Sequence, residues 1–228
     1  MTETTAPLST AAPAPIAVDA RAAEAFPGVE VLATTAEVTV DGLAEAADRL
    51  WLAQHAEWHE ASRATIRNHP RVAAYRQLSK LIGADPDRQP PSIQALIDRG
   101  LRGKPAGAWP RINPVVDAVN AAAVTDLAAL GVFDADKVTG EVRLTVSQGG
   151  EAFLALGADH TAELDPGRLI LADGARVLSL FAHRDGIHQS VTTATTRVVL
   201  LGCVVPGIDA ESVAASLLRA AALLSGQH

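Results

Sequence analysis

The chain has 228 residues, of which 48% are hydrophobic and 20% charged, and its formal net charge is −7 at pH 7. This length and apolar share are sufficient for one packed domain. The acidic total argues against a general nucleic-acid binder, so we expect no DNA partner.

Targeting and membrane signals are absent from the sequence. Charged residues interrupt every apolar stretch before it reaches the roughly 18 residues that a membrane span needs. The segment Met1–Pro7 has neither the basic nor the apolar region of a secretory signal. The single cysteine, Cys203, excludes a disulfide framework. We therefore expect a cytoplasmic protein that does not bind membranes.

The first predicted elements are a tail, a strand region and two helices. Residues 1–26 are rich in Ala, Pro and Thr and lack periodicity, which predicts a disordered tail. A Val- and Thr-rich stretch over 29–40 predicts one or two strands. Apolar residues at helical spacing predict a long amphipathic helix over 43–68. A second helix is predicted over 69–82, where Pro stands in the first turn and a Gly-Ala-Asp-Pro sequence follows.

Two further helices and then a sheet are predicted. Ser92 is the expected N-cap of the third helix, which ends near Gly100 or Gly103, and Asn113-Pro114 opens a fourth that runs to about Ala123. Short apolar runs between Gly and Asp turns then predict antiparallel strands over 142–146, 153–156, 169–172, 177–181 and 198–205. A terminal helix is predicted over 211–225. The predicted fold class is α+β, with helices mostly in the N-terminal half and an antiparallel-rich sheet in the C-terminal half.

Familiar catalytic motifs are missing. The sequence contains no GxxxxGK[ST] loop, no strand-linked GxGxxG and no GxSxG elbow. His55 and His59 are four residues apart on one predicted helix, a spacing that can bind zinc. Their HxExH order and the lack of a third ligand nearby favour a packed or solvated helix face instead. We therefore expect no metal site and no cofactor.

Basic residues are concentrated in one part of this acidic chain. The stretch from Glu60 to Arg111 contains ten Lys or Arg residues and only four Asp or Glu residues. Two interpretations remain open. These side chains could form solvated helix faces, or they could form a local patch for an anionic ligand such as RNA phosphate.

Short motifs follow one another in a fixed order from residue 70 onward. They include Pro70-Arg-Val-Ala-Ala-Tyr-Arg, Gly83-Ala-Asp-Pro, Arg111-Ile-Asn-Pro-Val-Val-Asp-Ala-Val-Asn120, Leu130-Gly-Val-Phe-Asp134 and Thr195-Thr-Arg-Val-Val-Leu. This series resembles the B3/4 domain family, the domain of the phenylalanyl-tRNA synthetase β subunit that hydrolyses mischarged tyrosine, and looks closest to its stand-alone members. The resemblance covers roughly 29–224, so we expect 27–228 to be a single B3/4-like domain.

The resemblance implies a trans-acting hydrolase, an editing deacylase of aminoacyl-tRNA or of a related aminoacyl ester. Such an ester is already activated, so a positioned water and a few polar groups suffice, without a triad or a metal. Two alternatives stay open. One is a non-catalytic module that binds an amino acid or tRNA, and the other is an aminoacyl-tRNA-dependent transferase of specialised metabolism. The expected partner is aminoacyl-tRNA or an aminoacyl small molecule.

The resemblance also implies where the site lies, namely where the fourth helix meets the sheet near the loop 184–196. The candidate catalytic residues are His188, Asn120 and Arg184. The candidate substrate-binding residues are Asn113, Asp117, Gly131, Asp134, Asp185 and Thr196. The candidate tRNA-binding residues are Arg63, Arg67, Arg71, Arg99, Arg102 and Lys104. If the site is as implied, we expect Asn113, Asn120, Gly131, Arg184 and His188 to converge on one pocket.

Several of these residues have a second interpretation. Gly131 stands where the synthetase domain has a histidine, and His188 is the nearest match to its site glutamate. His183 is another histidine that could act as a general base near neutral pH. Asn113 precedes a proline and could simply cap the fourth helix.

Overall fold

The computed structural model describes residues 12–174, 176–181 and 183–227. The helices are α1 (Ala20–Ala25), α2 (Leu43–Trp58), α3 (Arg63–Asn68), α4 (Pro70–Leu81), α5 (Ser92–Gly100), α6 (Pro114–Asp126) and α7 (Ala210–Leu224). The strands are β1 (Ala14–Pro15), β2 (Ala17–Val18), β3 (Glu30–Glu37), β4 (Leu130–Asp134), β5 (Val142–Val146), β6 (Ala152–Phe153), β7 (Ala162–Glu163), β8 (Leu169–Asp173), β9 (Arg176–Leu180), β10 (Arg184–Asp185) and β11 (Arg197–Val204). The predicted α+β class, with helices mostly before an antiparallel-rich sheet, is confirmed.

The strands form two sheets and a small ribbon. The four-stranded sheet has the order β1-β3-β11-β4 and is antiparallel throughout. The five-stranded sheet has the order β10-β9-β8-β5-β2, and only its β2–β5 pair is parallel. Strands β6 and β7 form the two-stranded ribbon. Within the described ranges, none of the helices has the length and apolar character that crossing a bilayer demands.

Helix α7 covers one face of the four-stranded sheet. It packs against β3 and β11, and Gly202 of β11 faces Val213 and Leu217 of the helix. Because successive side chains of a strand point to opposite faces, Leu201 and Cys203 point away from α7. That opposite face forms one wall of the cavity described below.

The long helix predicted over 43–68 is in fact two helices. Helix α2 ends at Trp58, and α3 begins only at Arg63. Ser62 adopts an extended backbone, and its Oγ accepts a hydrogen bond of 3.0 Å from the Thr65 N–H. Such an N-cap starts a new helix, and the regular apolar spacing across the break concealed it.

The cap predicted for α5 is one residue out of place. Ser92 is the first residue of the helix, and Pro91 occupies the N-cap position without a side-chain hydrogen bond. By contrast, the cap predicted for α6 is present, because Asn113 Oδ1 accepts a hydrogen bond of 3.0 Å from the Val116 N–H. The helices predicted over 69–82 and 211–225 are confirmed as α4 and α7.

The predicted disordered tail is wrong over residues 14–26. Strand β1 pairs with β3, β2 pairs with β5, and Asp19 caps α1 by accepting a hydrogen bond of 2.9 Å from the Ala22 N–H. Ala22 and Phe26 are buried in the core. A segment rich in Ala and Pro can therefore be ordered when both sheets offer it a free edge. Residues 1–11 of the predicted tail lie outside the described residues.

The Tyr75 hydroxyl joins β11 to the segment before β4. It donates to the Cys203 carbonyl at 2.9 Å and accepts from the Ala129 N–H at 3.0 Å, and the side chain is buried. We expect Tyr75→Phe to lower the free energy of unfolding by about 1–3 kcal/mol, because it leaves these two groups unpaired. Urea unfolding measures the change. Thr125→Val is the control, since the Thr125 hydroxyl only supplements the Ala121 carbonyl within α6; an equal loss in both variants would contradict this bridging role.

Candidate functional site

A cavity of about 470 Å³ is lined by both sheets and by α4 and α5. The four-stranded sheet contributes mainly apolar side chains, namely Val31, Phe133, Leu201 and Cys203, together with Gly131. The five-stranded sheet contributes Leu171, Ser179, Arg184 and Asp185. The apolar members are buried, whereas Arg184 and Asp185 are exposed. The cavity therefore has an apolar interior and a polar opening, as ligand sites commonly do.

The helices place further polar groups on this cavity through their spacing. Tyr75 and Ser79 are four residues apart on α4, and Ser92, Ala95 and Arg99 are three and four apart on α5. Residues at these spacings share one face of a helix. Each helix thus presents a single face to the cavity.

The β9–β10 hairpin contributes three consecutive polar side chains to the cavity. His183, Arg184 and Asp185 are consecutive and all line the cavity. The next residue, Gly186, donates its N–H to the Leu178 carbonyl at 2.7 Å. A Cβ at Gly186 would lie 2.9 Å from that same oxygen, so only glycine allows the chain to pass this closely over β9. This close passage fixes the position of the preceding carboxyl.

The protein surroundings perturb the ionisation of two of these groups. Asp185 keeps solvent contact through the cavity, yet protein surrounds its carboxyl densely, and the desolvation raises its pKa; a hydrogen bond from Ser179 opposes this shift. Partial desolvation by the surrounding protein, followed by repulsion from Arg184 and Arg168, lowers the pKa of His183 below its ordinary value of 6.5. Perturbed groups that share a cavity are typical of functional sites.

Positive charge is concentrated at the opening of the cavity. Arg88, Arg99 and Arg184 line it and are exposed. Arg88 has a carboxylate partner, Asp85, at 3.6 Å. Within the described part of the chain, Arg99 and Arg184 have no ion pair of their own. An anionic group of a ligand would therefore be attracted to this opening.

Cys203 lines the cavity without the properties of a nucleophile. The side chain is buried, and burial raises the pKa of its thiol. Because the thiolate is the reactive form, this cysteine acts as part of the apolar wall, as its position in an apolar run predicts.

The cavity brings together three of the candidate catalytic and substrate-binding residues, Gly131, Arg184 and Asp185. His188 instead lines a separate cavity of about 520 Å³, together with Glu151 and Asp173. The expected convergence of His188 with Gly131 and Arg184 is therefore wrong. The cause is local: after the close passage over β9 the chain turns away, and the buried Gln189 is tied to the Leu178 carbonyl at 2.5 Å.

The candidates on α6 do not line the cavity. Asn113 serves as the helix cap described above, and Asp117 is buried and accepts a hydrogen bond of 2.8 Å from the Ile112 N–H. Asn120 is half-buried on the same helix and is not part of the cavity wall. The expected convergence therefore also fails for Asn113 and Asn120, whereas the capping interpretation of Asn113 is supported.

Asp134 is the last residue of β4 and Thr196 immediately precedes β11, so both lie at one end of the four-stranded sheet, outside the cavity wall. Asp134 is buried and accepts a hydrogen bond of 2.6 Å from Thr195 Oγ1, and Lys137 Nζ lies 3.2 Å from it. Burial would raise the pKa of Asp134, but these two partners hold it below its usual range. The carbonyl of Thr196 accepts a hydrogen bond of 2.8 Å from the Val38 N–H. The contacts of both residues join loops to the sheet.

Ion pairs within the chain neutralise much of the basic stretch. Arg67 pairs with Asp87 at 2.6 Å, Arg102 pairs with Asp98 at 2.8 Å, and Arg71 lies 3.9 Å from Asp209. Of the six candidate tRNA-binding residues, only Arg99 lines the cavity. The two remaining candidates, Arg63 and Lys104, are exposed and lie outside the cavity wall.

The histidine pair at helical spacing has a structural contact. The rings of His55 and His59 stack with centroids 4.6 Å apart, and His55 Nε2 is 2.8 Å from the Lys104 carbonyl oxygen. Across the described ranges, no group of three or more His, Cys, Asp or Glu residues is arranged to hold a metal ion.

Sequence reasoning missed several residues of the cavity wall. They include Ser79, Arg88, Ser92 and Ser179. For Ser79 and Ser92, which lie on α4 and α5, the sequence does show small and polar residues at helical spacing on one face. That spacing becomes informative only when it is known which face meets the two sheets.

Known proteins resemble this chain over part of its length. The B3/4 domain model matches residues 74–225. Phenylalanine–tRNA ligase β subunits from Cereibacter sphaeroides and Cutibacterium acnes are 32% and 34% identical over 112 residues each, covering 45% and 49% of this chain. A solved N-terminal fragment of the phenylalanyl-tRNA synthetase β subunit from Pyrococcus horikoshii is 18% identical, with a TM-score of 0.41, over 50% of this chain and 42% of that one.

The two ligase subunits are much longer proteins. The alignments span only 14% and 13% of their lengths, so they concern one part of each relative. The family model, by contrast, covers more than half of this chain. The chain belongs to the B3/4 domain family.

Proposed function

We propose that this chain hydrolyses the ester bond of an aminoacyl-tRNA or of a related aminoacyl ester in the cavity between the two sheets. The observation that carries the proposal is the meeting of His183, Arg184 and Asp185 on one cavity whose interior is apolar. The relatives are named as β subunits of phenylalanine–tRNA ligase, which supports tRNA as the carrier of the ester.

The cavity would hold the amino-acid part of the substrate by its side chain and by its ammonium group. The buried wall that includes Phe133 and Leu201 would contact the side chain of the amino acid. Asp185 would bind the ammonium group. Desolvation disfavours a lone carboxylate there, and a cationic partner offsets that cost by pairing with it.

The proposed chemical step is a single acyl transfer to water. Neutral His183 accepts a proton from the water while the water oxygen bonds to the carbonyl carbon of the ester. The guanidinium of Arg184 stabilises the negative charge that develops on the carbonyl oxygen. The tetrahedral intermediate then collapses with cleavage of the bond to the ribose oxygen, and His183 returns the proton to that oxygen. The products are the free amino acid and the free hydroxyl.

The pH dependence of hydrolysis follows from His183. Because partial desolvation and two neighbouring arginines lower the pKa of His183, its neutral form persists at pH values below the ordinary histidine pKa. We expect kcat, which reports the substrate complex in which Asp185 is paired, to be constant near neutrality and to fall only at a pKa below 6.5. Arg168→Ala should move this acid limb to higher pH. Rates measured between about pH 4.5 and 8 give the acid limb of the wild type and of the variant. An acid limb of the wild type above pH 6.5, or an acid limb that does not move in the variant, would contradict the role of His183.

A deacylation panel tests the proposed function. The purified chain is incubated with tRNAs carrying each amino acid, both matched and mismatched, and ester loss is compared with the spontaneous rate. Acceleration of a subset of these esters is the expected result. No acceleration for any of them would overturn hydrolysis, and tight amino-acid binding without turnover would favour a non-catalytic module. Ester loss that requires an added amine or alcohol acceptor would favour a transferase.

A further inference from the structure

The cavity that His188 lines is separate from the proposed acyl site. It has a volume of about 520 Å³, and its wall shares no residue with that of the acyl cavity. Arg176 and Val177, at the start of β9, line it, whereas Ser179, near the end of that strand, lines the acyl cavity. The two spaces therefore lie toward opposite ends of one strand.

An ion pair in the wall of this second cavity is incompletely hydrogen-bonded. Asp173 Oδ2 accepts hydrogen bonds from the Thr139 N–H at 2.7 Å and from Arg176 Nη2 at 3.0 Å. The Asp173 side chain is fully buried, and within the described part of the chain its Oδ1 has no hydrogen-bond partner. Arg176 Nε is likewise buried and, among the described residues, unpaired. One acceptor and one donor of the same ion pair are therefore left without a partner.

These two unpaired atoms carry a free-energy cost that a ligand would offset. Burial would raise the pKa of Asp173, but hydrogen bonds from Arg176 and Thr139 hold it below its usual range, so the group is a carboxylate. A buried charged group that lacks a hydrogen bond is costlier than a neutral one. The Arg176 side chain is 33% exposed, so the ion pair lies directly beneath the surface of the cavity.

A metal ion is not the partner that this wall indicates. Glu151, Asp173 and His188 all line the cavity. Nevertheless, these three residues, like every other such group among the described residues, are not arranged to hold an ion. The unpaired carboxylate oxygen therefore indicates an organic hydrogen-bond donor.

We propose that this second cavity binds a free α-amino acid with an aliphatic side chain. Its ammonium group donates to Asp173 Oδ1, and its carboxylate accepts from Arg176 Nε. Both charged groups of an α-amino acid are attached to one carbon, so they match an unpaired acceptor and an unpaired donor of one ion pair. Ala152, Leu154 and Val177 of the wall contact the aliphatic side chain.

The need for a carboxylate distinguishes this site from the proposed acyl site. In an aminoacyl ester the carboxyl group is esterified and carries no negative charge, so it pairs less strongly with Arg176. The second cavity therefore selects the free acid over its ester. The proposal goes beyond the function proposed above, because this binding requires no hydrolysis.

Calorimetric titration with L-leucine tests the site, using the full chain with Gly131→Leu so that the acyl cavity is obstructed. We expect leucine to bind at one site per chain. L-Leucinamide lacks the carboxylate and 4-methylpentanoate lacks the ammonium group, so each should bind about tenfold more weakly or less, as loss of a charged hydrogen bond predicts. Equal affinity for the three compounds, or no binding of leucine, would overturn the site.

Ala152→Trp, added to the same chain, obstructs the second cavity without altering the ion pair. Ala152 is exposed on β6, so the larger side chain should leave folding intact while weakening leucine binding by about tenfold or more. Ala162→Trp is the matched control, because Ala162 is exposed on the paired strand β7 and lies outside this cavity. Equal leucine affinity in the two variants would overturn the site. A chain that hydrolyses esters but binds no leucine would overturn this site alone, and one that binds leucine here without hydrolysing any ester would overturn only the hydrolysis.

Discussion

His183→Gln is expected to lower the rate of deacylation by about 10²–10⁴-fold, the usual contribution of a general base. Glutamine retains hydrogen-bonding groups of similar reach but cannot accept the proton of the attacking water. His183 is exposed on a hairpin, so the replacement should leave the free energy of unfolding nearly unchanged. Single-turnover deacylation together with urea unfolding separates a lost proton acceptor from a lost fold.

His188→Gln is the matched control for that variant. The two histidines are close in sequence, and both are exposed, but His188 lines the separate cavity with Glu151 and Asp173. We expect its replacement to leave the rate within about twofold, as a surface change usually does. The reverse pattern, with His188→Gln inactive and His183→Gln active, would move the site to that other cavity.

Gly131→Leu is expected to reduce hydrolysis of the preferred aminoacyl ester by about 10–200-fold, the usual effect of a steric change in an apolar pocket. Glycine is not required here for folding. Gly131 is absent from the glycines with positive φ, and a Cβ built on it would meet only Leu201 Cβ, at 3.9 Å. A side chain at this position would extend over the cavity wall between β4 and β11, where the acyl group is expected.

A graded series makes the Gly131 result interpretable. Gly131→Ala should keep or raise the free energy of unfolding, since alanine restricts the unfolded chain by about 0.4–1 kcal/mol, and should reduce hydrolysis less than leucine does. Ala162→Leu, on the exposed strand β7 outside the cavity, is the control for added apolar bulk. Unchanged hydrolysis in Gly131→Leu, or a loss that parallels unfolding across the series, would contradict a place for Gly131 in the acyl pocket.

Local patterns were sufficient to predict most of the fold. Helical spacing located α4 and α7, and the Asn-Pro pair located the start of α6 together with its cap. These features depend on contacts between residues near in sequence. The tail was misjudged because β1 and β2 are ordered by edges of distant strands, and composition alone does not reveal such edges.

The choice between the two histidines could not be made from the sequence. Both follow β9, and which of them lines the larger cavity is decided by the tight passage of Gly186 over the Leu178 carbonyl. The pattern Arg-Asp-Gly contains the required glycine but not the carbonyl it approaches. A three-dimensional contact therefore assigns His183 to the cavity and His188 elsewhere.

The basic stretch illustrates the same limit for charge. The excess of basic residues is real, yet Arg67 pairs with Asp87 and Arg71 pairs with Asp209, two carboxylates that are distant in the sequence. Charge that is neutralised in this way contributes little to binding an external anion. Within the described ranges, Arg99 and Arg184 line the larger cavity without an ion pair, and they come from two different parts of the chain.

The most direct test is a crystal structure of the chain with a non-hydrolysable analogue, a 3′-aminoacylamino-3′-deoxyadenosine 5′-phosphate, in which an amide replaces the ester. The expected result is an acyl group against Gly131 and Phe133 and a carbonyl oxygen near Arg184. Binding of the analogue in the cavity of His188, or a carbonyl remote from His183 and Arg184, would contradict catalysis between the two sheets.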